Sequence, residues 1–292
     1  MPVGSKEQGK CYNRKEDVAG NRKAVIVLTK LKRVLARRPL GLVFDIDGTI
    51  SPIARISDEA RLYPGVADLL ARAQQHEGVR VGIITGRGLE NGAAIVNVEG
   101  LTYIGIHGLE WSDGLPDTHE VQVVPEALAY REAGTALLDL VERHRDELPG
   151  IYIQRKRVGG TVHYRLASDP EKVRARLLAL LQEPARRHNI RLTEGKLALE
   201  IRVPLEIDQG KGMALRRFVQ RFGLQGVIFA GDDLTDLDAV IEIPRLRDTG
   251  VDALSIVVQH ADTPPALLAH ADLLVPGVEG MAALLEQIVE EL

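Results

Sequence analysis

Short apolar segments alternate with amphipathic stretches along the chain from Leu40 onward. Each apolar segment ends in a polar or glycine-rich turn, a pattern typical of buried parallel strands that are covered by helices. The pattern therefore predicts an α/β fold built on a parallel sheet. Its strand candidates are Leu42 to Phe44, Arg80 to Ile84, Tyr103 to Ile106, Gly226 to Ala230, Leu254 to Val258 and Asp272 to Val275.

The pattern changes between the third and the fourth of these strands. Further strand candidates there are separated by helical stretches near Glu126 to Leu148 and Pro170 to Arg187. One of them, Thr161 to Leu166, alternates apolar and polar residues, as expected of a sheet with one solvated face. We therefore predict an α+β domain, residues 116–205, inserted into a core of residues 40–115 and 206–292. The strand candidates of the insertion are Val121 to Val124, Ile151 to Arg157, Thr161 to Leu166, Ile190 to Leu192 and Lys196 to Val203.

The segment before the first strand, residues 1–39, has a different pattern. Met1 to about Lys23 is polar with scattered charges and is predicted to be a tail. Ala24 to Arg38 mixes apolar and basic residues at a spacing that predicts a lead-in helix. Neither part carries a motif that indicates a role.

Composition excludes several classes of protein. The chain has 292 residues, 45% hydrophobic and 27% charged, as in a soluble globular protein with a sizeable core. A net charge of -4 argues against a nucleic-acid partner. The lone cysteine, Cys11, forms neither an intrachain disulfide nor a cysteine-rich metal site, so we expect the cytoplasm. No apolar run reaches the roughly 18 residues of a membrane span, and no apolar segment follows the first basic residues, so neither a membrane nor export is expected.

Two acidic segments come directly after predicted core strands. The first segment contains Asp45 and Asp47, and the second contains Asp232, Asp233 and Asp236. Open α/β sheets bind ligands at the carboxyl ends of their strands. Acidic turns at strand ends also occur without a ligand, but two such turns at one sheet edge repel each other unless a cation lies between them. Mg²⁺, which prefers oxygen ligands, fits this requirement.

Two further segments are suited to a phosphate group. Thr85 and Gly86 follow a predicted strand and offer a hydroxyl and free backbone N–H groups. Lys211 stands between two glycines at the start of a helical stretch, where its ammonium can approach a phosphate. Each also has an ordinary structural interpretation, as a helix cap for Thr85 and as a solvated charge for Lys211. Only the ordered set of four segments gives them weight.

The four segments, in this order, resemble the motif pattern of the haloacid dehalogenase-like (HAD) phosphotransferase superfamily. The resemblance implies a Rossmann-like parallel-sheet core, and the inserted α+β block resembles the superfamily's C2-type cap, which its sugar-phosphate phosphatases carry. Within that group the chain is most similar to the trehalose-6-phosphate phosphatase family. That similarity is carried by Gly105-Ile106-His107-Gly108-Leu109-Glu110, Lys156 with His163-Tyr164-Arg165, Glu200-Ile201-Arg202, Lys211-Gly212 and Gly231-Asp232-Asp233-Leu234-Thr235-Asp236.

The resemblance implies magnesium-dependent hydrolysis of trehalose 6-phosphate through an aspartyl-phosphate intermediate, with this sugar phosphate as the small-molecule partner. Asp45 would be the nucleophile and Asp47 the general acid and base. The metal would be held by Asp45, the backbone carbonyl of Asp47, Asp232 and Asp233, with Asp236 behind them. Phosphate contacts are implied for Thr85, Gly86 and Lys211, and substrate contacts for Gln154, Lys156, Glu200, His107 and Glu110.

Three departures from the family pattern keep other substrates open. The family usually has Glu-x-Lys where this chain has Gln154 two residues before its lysine, Val203 intervenes before a proline, and Leu237 stands where a further acid is common. The alternatives are a phosphatase for sucrose phosphate or mannosyl-phosphoglycerate, a phosphomutase and a non-catalytic sugar-phosphate sensor. None of these patterns bears on oligomeric state.

Overall fold

The computed structural model describes residues 28–54, 56–208 and 210–292. The predicted tail, Met1 to about Lys23, lies outside the described residues, as does the first part of the predicted lead-in helix. The remainder of that stretch is helical over residues 28–35, which we call α1.

Twelve strands and ten α-helices lie in the described residues. The strands are β1 (Leu40–Phe44), β2 (Val79–Ile84), β3 (Thr102–Gly105), β4 (Glu110–Ser112), β5 (Gln122–Val123), β6 (Tyr152–Arg155), β7 (Gly160–His163), β8 (Arg191–Gly195), β9 (Ala198–Arg202), β10 (Gly226–Gly231), β11 (Asp252–Gln259) and β12 (Leu273–Pro276). After α1 the helices are α2 (Val66–Gln75), α3 (Leu89–Val96), α4 (Pro125–Leu128), α5 (Arg131–Arg143), α6 (Pro170–Arg187), α7 (Gly210–Arg221), α8 (Leu237–Asp248), α9 (Pro265–His270) and α10 (Gly277–Glu291).

The larger sheet has eight strands in the order β12, β11, β10, β1, β2, β3, β4, β5. The first six are parallel, and β4 and β5 add an antiparallel edge. β1, at the centre, is buried at every position because helices cover both of its faces. The predicted α/β fold with a Rossmann-like parallel-sheet core is thereby confirmed.

Two layers of helices enclose this sheet, each through one apolar face. One layer is formed by α1, α2, α3 and α10, which bury residues such as Leu70 and Leu285 against β1, β2 and β11. The other is formed by α7, α8 and α9, with Phe218 at its centre. Gly41 and Gly82 make room for that ring, since a Cβ atom would lie 3.2 Å from it at Gly41 and 2.8 Å at Gly82.

The smaller sheet is antiparallel, in the order β6, β7, β9, β8, and α5 and α6 cover one of its faces. α6 begins where the Asp169 side chain accepts a hydrogen bond from the backbone N–H of Lys172, with Pro170 at the first helical position. The core between sheet and helices includes Val162, Leu177 and Leu199. The opposite face of this sheet is polar and is turned toward the carboxyl ends of the core strands.

Several elements differ from the sequence-based expectations. The segment predicted as the first strand of the insertion forms β5, which pairs with β4 at the edge of the large sheet. The boundary at residue 116 stays a prediction. Strand β3 ends at Gly105 because Ile106 and His107 adopt positive φ angles of 46° and 55°, which break the ladder. The described residues contain no helix long and apolar enough to cross a membrane.

We expect Phe218→Ala to destabilise the protein by roughly 3–5 kcal/mol, because a fully buried ring would be replaced by a cavity between α7 and the sheet. Chemical denaturation measures this change. Met213→Ala, on the same helix but 36% exposed, is the matched control and should change the unfolding free energy by less than about 0.5 kcal/mol. Equal effects of the two substitutions would contradict the packing described here.

Candidate active site

The site begins at the carboxyl ends of β1 and β10, which pair directly as parallel neighbours. Their register sets Phe44 opposite Ala230, so the chain leaves both strands at the same level of the sheet. The backbone N–H of Asp45 donates to the carbonyl of Ala230 at 2.9 Å and fixes the first acidic segment beside the second. Asp45 and Asp232 are therefore brought together by strand pairing, although 187 positions separate them in the chain.

Lys211, from the first turn of α7, is buried between two of the acidic residues. Its ammonium lies 2.8 Å from Asp45 Oδ1 and 2.7 Å from Asp236 Oδ1, and the residue is 1% exposed. Burial alone would lower the pKa of Lys211, but the two carboxylates raise it above its ordinary value. The lysine is therefore charged, and its position is fixed on two sides.

Asp236 holds the acidic loop together. Its Oδ2 accepts hydrogen bonds from the backbone N–H groups of Asp232 and Asp233, both at 3.1 Å, while its Oδ1 accepts from Lys211. The carboxylate is completely buried. Asp236 thus orients the loop and the lysine at once. Its place behind the metal ligands stays a prediction.

Burial and mutual repulsion disfavour the ionised forms of the carboxyl groups that meet at the ends of β1 and β10. Oxygen atoms of Asp45, Asp232 and Asp236 lie within 4.8 Å of one another. Burial and the neighbouring carboxylates raise the pKa of Asp45 to about 7, although Lys211 opposes the shift. Burial, together with the charges of Asp236, Asp45 and Asp233, raises the pKa of Asp232 to about 9. A cation among these oxygens would restore the ionised forms.

The donor set suits a hard divalent ion. Asp232 Oδ1 is buried and has no hydrogen-bond partner among the described residues. Gly48 supplies the space beside it, since a Cβ atom there would lie 2.2 Å from Asp232 Oδ2. An unpaired carboxylate oxygen in a cluster of carboxylates fits Mg²⁺ better than it fits a softer metal.

A cavity lies between the carboxyl ends of the core strands and the polar face of the smaller sheet. The side chain of Asp47 is engaged by Arg87, and that of Asp233 accepts from the backbone N–H of Leu234. Asp232 and Asp236 lie beneath the cavity floor. Ten of the predicted site residues line the cavity: Asp45, Asp47, Thr85, Gly86, His107, Gln154, Lys156, Glu200, Lys211 and Asp233.

Strand register explains how the smaller sheet presents polar groups to this cavity. Gln154 pairs with Thr161, Thr161 with Glu200, and Glu200 with Thr193, so four polar residues form one row across the sheet. Neighbouring positions such as Leu199 point to the opposite face and pack under the helices. The alternation noticed in the sequence is therefore the alternation between cavity and cap core.

Glu200 lies in a basic environment. Burial alone would raise its pKa, but the charge of Lys156 lowers it below the ordinary value. Burial lowers the pKa of His107 to about 4, so the imidazole is neutral at pH 7, with Nε2 at 3.7 Å from Glu200 Oε2. The site thus offers an ionised carboxylate beside an ammonium and a neutral imidazole, a set that hydrogen-bonds sugar hydroxyls.

Glu110 is the one predicted substrate contact that lies away from the cavity lining. It is completely buried, and it accepts hydrogen bonds from the backbone N–H of Leu89 at 2.7 Å and from Arg157 Nε at 3.2 Å. Both carboxylate oxygens are therefore already engaged. Its contact with the substrate stays a prediction.

The cavity is also lined by several cationic residues that are not among the predicted site residues. Arg87 follows the Thr85-Gly86 pair, and Arg165 and Arg202 end segments that carry the family resemblance. Their position next to these motifs could have identified them as site residues. Lys196, at the tip of the β8–β9 hairpin, had no such signal, because only the folding of the hairpin onto the core brings it there. Four extra cations make the cavity suited to an anionic substrate.

Comparison with known proteins agrees with this geometry. The sequence model of the trehalose-phosphatase family matches residues 43–266. Trehalose-phosphate phosphatase of Mycobacterium leprae is 32% identical over 238 residues, which cover 78% of this chain and 52% of that protein. The protein of the same name from Mycolicibacterium paratuberculosis is 33% identical over 235 residues, 78% of this chain and 56% of that protein. The chain thus spans about half the length of these relatives.

A solved structure shares the fold. The C-terminal domain of trehalose-6-phosphate phosphatase from C. albicans superposes with a TM-score of 0.73 at 18% identity. The match covers 91% of this chain and 97% of that domain. At this level of identity the likeness concerns the arrangement of core and cap.

We expect Asp232→Asn to raise the melting temperature of the protein in EDTA by a few degrees at pH 8, because it removes a carboxyl group whose ionised form is opposed by burial and by the charges of Asp236 and Asp45. The folded-state pKa of about 9 lies above the ordinary value of 3.8, so the wild type loses stability as pH rises between them. The advantage of the variant should therefore grow over this range. Thermal melts from pH 5 to pH 9 measure it.

The same melts with MgCl₂ test the cation site. A ligand that binds only the folded state raises its stability, so Mg²⁺ should raise the melting temperature of the wild type and do so far less in Asp232→Asn. Asp248→Asn, which removes an exposed carboxylate from α8, is the matched control and should respond to Mg²⁺ as the wild type does. An equal Mg²⁺ response in all three proteins would contradict the site.

Proposed function

The chain belongs to the trehalose-phosphatase family, and we propose that it hydrolyses trehalose 6-phosphate to trehalose and inorganic phosphate. One observation carries the proposal. Asp45 is held by Lys211 at the meeting point of two acidic segments and faces a cavity whose other wall is the polar row of the cap. A nucleophile, cations for the phosphoryl group and hydroxyl-binding groups are thus assembled in one place.

In the first step Asp45 attacks phosphorus. A bond forms between a carboxylate oxygen of Asp45 and phosphorus, and the bond from phosphorus to the sugar oxygen breaks. A sugar alkoxide is a poor leaving group, so Asp47 gives a proton to the departing oxygen. Thr85 and Lys211 contact the phosphoryl oxygens and keep the transfer in line.

In the second step water attacks the aspartyl-phosphate. Asp47, now ionised, takes a proton from the water as the new oxygen–phosphorus bond forms. The bond between phosphorus and Asp45 breaks, which regenerates the nucleophile and releases phosphate. Dividing the reaction in this way replaces one very slow hydrolysis with two assisted displacements.

We propose that Mg²⁺ is held by Asp45, the backbone carbonyl of Asp47, Asp232 and Asp233, with Asp236 orienting the loop behind them. When bound, the ion neutralises charge on the phosphoryl oxygens. The unpaired Oδ1 of Asp232 and the raised pKa values of Asp45 and Asp232 support this assignment. The lone cysteine, Cys11, supports a reducing compartment, the cytoplasm, as the place of action.

Sugar recognition falls to the cap and to the segment after β3. Glu200, Lys156 and His107 line the cavity and offer a carboxylate, an ammonium and a neutral imidazole to the sugar hydroxyls. The cap also reduces contact between bulk water and the phosphoryl group, which strengthens each electrostatic contact. A second candidate substrate, another sugar phosphate, is favoured by Gln154, because the family usually has a carboxylate there.

We expect Asp45→Asn to abolish phosphate release from trehalose 6-phosphate, because an amide oxygen does not form the phosphoryl bond. The measurement is phosphate release from a panel of sugar phosphates by wild type and variant, with Mg²⁺ and with EDTA. Far-UV circular dichroism and the melting temperature control for folding. Substantial turnover by the variant would remove Asp45 as nucleophile, and release from sucrose phosphate in place of trehalose 6-phosphate would select the second candidate.

We expect Glu200→Ala to raise KM for trehalose 6-phosphate by about 10–100-fold, the effect of losing hydrogen bonds to a charged group worth roughly 1.5–3 kcal/mol. The KM for p-nitrophenyl phosphate, which lacks the sugar, should change far less. Glu171→Ala, on the outer helix of the cap with a side chain 80% exposed, is the matched control and should leave both values unchanged. Equal changes for both substrates in Glu200→Ala would eliminate its recognition role.

A further inference from the structure

Arg87 grips the side chain of Asp47 with two parallel hydrogen bonds. Its Nε lies 2.6 Å from Asp47 Oδ2 and its Nη2 lies 2.7 Å from Asp47 Oδ1. Arg87 is only 6% exposed, whereas the side chain of Asp47 is 34% exposed and borders the cavity. The guanidinium therefore fixes the plane of the Asp47 carboxylate and occupies one acceptor position on each of its two oxygens, while each oxygen keeps a second acceptor position.

The remaining nitrogen of Arg87 is held by two other residues of the core. Nη1 donates to the hydroxyl and the carbonyl of Ser57, both at 2.8 Å, and to Asn91 Oδ1 at 2.6 Å. Ser57 begins a 3₁₀ turn in the loop after β1, and Asn91 lies in α3. Because a guanidinium is rigid and planar, the positions of Ser57 and Asn91 determine the direction in which Arg87 presents its fork.

The cap reaches the same two residues through Gln154. The amide nitrogen of Gln154 lies 3.2 Å from Ser57 Oγ and 3.4 Å from Asn91 Oδ1. Gln154 is 9% exposed, and its amide oxygen is 3.5 Å from His163 Nε2. A continuous set of contacts thus runs from the cap to Gln154, Ser57 and Asn91, then Arg87, and ends on Asp47.

We propose that Arg87 is a positioning residue that couples the seating of the cap to the orientation of the Asp47 carboxylate. The proposal rests on the proposed function, in which Asp47 transfers a proton to and from the reacting oxygen. Proton transfer requires the carboxylate within hydrogen-bond distance of that oxygen, and small displacements are costly. The contacts through Ser57 and Asn91 give the cap a direct physical means of controlling that distance.

The same contacts account for an amide at position 154. A glutamine offers two N–H donors, and here the acceptors that face it are Ser57 Oγ and Asn91 Oδ1. A carboxylate has no donor for Asn91 Oδ1. Glutamine, in place of the glutamate of the Glu-x-Lys pattern, therefore supplies the N–H donors that this cap–core contact requires.

A comparison of two substrates tests the proposal. The sugar oxygen of trehalose 6-phosphate needs a proton to depart, whereas p-nitrophenolate departs as a stable anion. Arg87→Lys keeps the charge but not the fork. We expect it to lower kcat/KM for trehalose 6-phosphate, which reports on the first step only, by roughly 10–100-fold, part of the 10²–10⁴-fold that acid–base catalysis contributes, and to lower kcat/KM for p-nitrophenyl phosphate several-fold less.

Gln154→Ala separates positioning from sugar contact. If Gln154 acts through Arg87, the variant lowers kcat/KM for trehalose 6-phosphate relative to p-nitrophenyl phosphate without raising KM, and the double variant with Arg87→Lys loses little more than Arg87→Lys alone. If Gln154 only holds the sugar, KM rises, kcat stays, and the two losses multiply, which would overturn its place in the coupling. Asn91→Ala serves as a second core variant should Arg87→Lys fail to fold.

Glu90→Gln is the matched control, because it removes the cap–core ion pair with Arg157 without touching Arg87. It should leave the ratio of the two kcat/KM values unchanged. Equal losses of kcat/KM for both substrates in Arg87→Lys and Asn91→Ala, or a higher kcat/KM in either, would overturn the proposal. Failure of the proposed function would instead appear in the wild type, as no phosphate release from trehalose 6-phosphate; the best sugar phosphate of the panel then replaces it in the comparison.

Discussion

The parallel pairing of β1 with β10 brings several acidic side chains together at the ends of the two strands. Much of the remaining site compensates their negative charge. Asp45, Asp232 and Asp236 are buried together where the two strands end. Lys211 compensates part of the charge by lying between two of the three. The oxygen of Asp232 without a partner, and the raised pKa values of two of these carboxyl groups, mark the part that remains uncompensated.

In the proposed function, the core holds the phosphoryl group and the cap recognises the sugar. The core supplies rigid strand ends, where backbone hydrogen bonds and burial leave the reactive groups little freedom. The cap supplies a polar row that runs across four strands, so its spacing follows from the register of an antiparallel sheet. One member of the row, Gln154, also contacts the core at Ser57 and Asn91, so the row is not independent of the core.

Where core and cap meet, polar contacts lie beside a buried apolar cluster that includes Ile106, Val158 and Val203. Gln154 reaches Ser57 and Asn91, Arg165 Nη1 donates to the carbonyl of Ala54 at 2.9 Å, and Arg157 pairs with Glu110. Hydrogen bonds of this kind break and form again without exposing a large apolar surface, since water replaces each lost partner.

The sequence by itself determined the α/β class, the parallel strands and the residues at their carboxyl ends, because apolar runs and the acids that follow them are local features. It also indicated the segments from which Lys211 and Glu200 come. Only the tertiary structure decided that the carboxylate of Glu110 accepts hydrogen bonds from Leu89 and Arg157. It also decided that Gln154 contacts the core and that Arg87 binds the carboxylate of Asp47. These outcomes depend on which surfaces meet when the cap folds onto the core, and no spacing within a single segment encodes a distance between two segments.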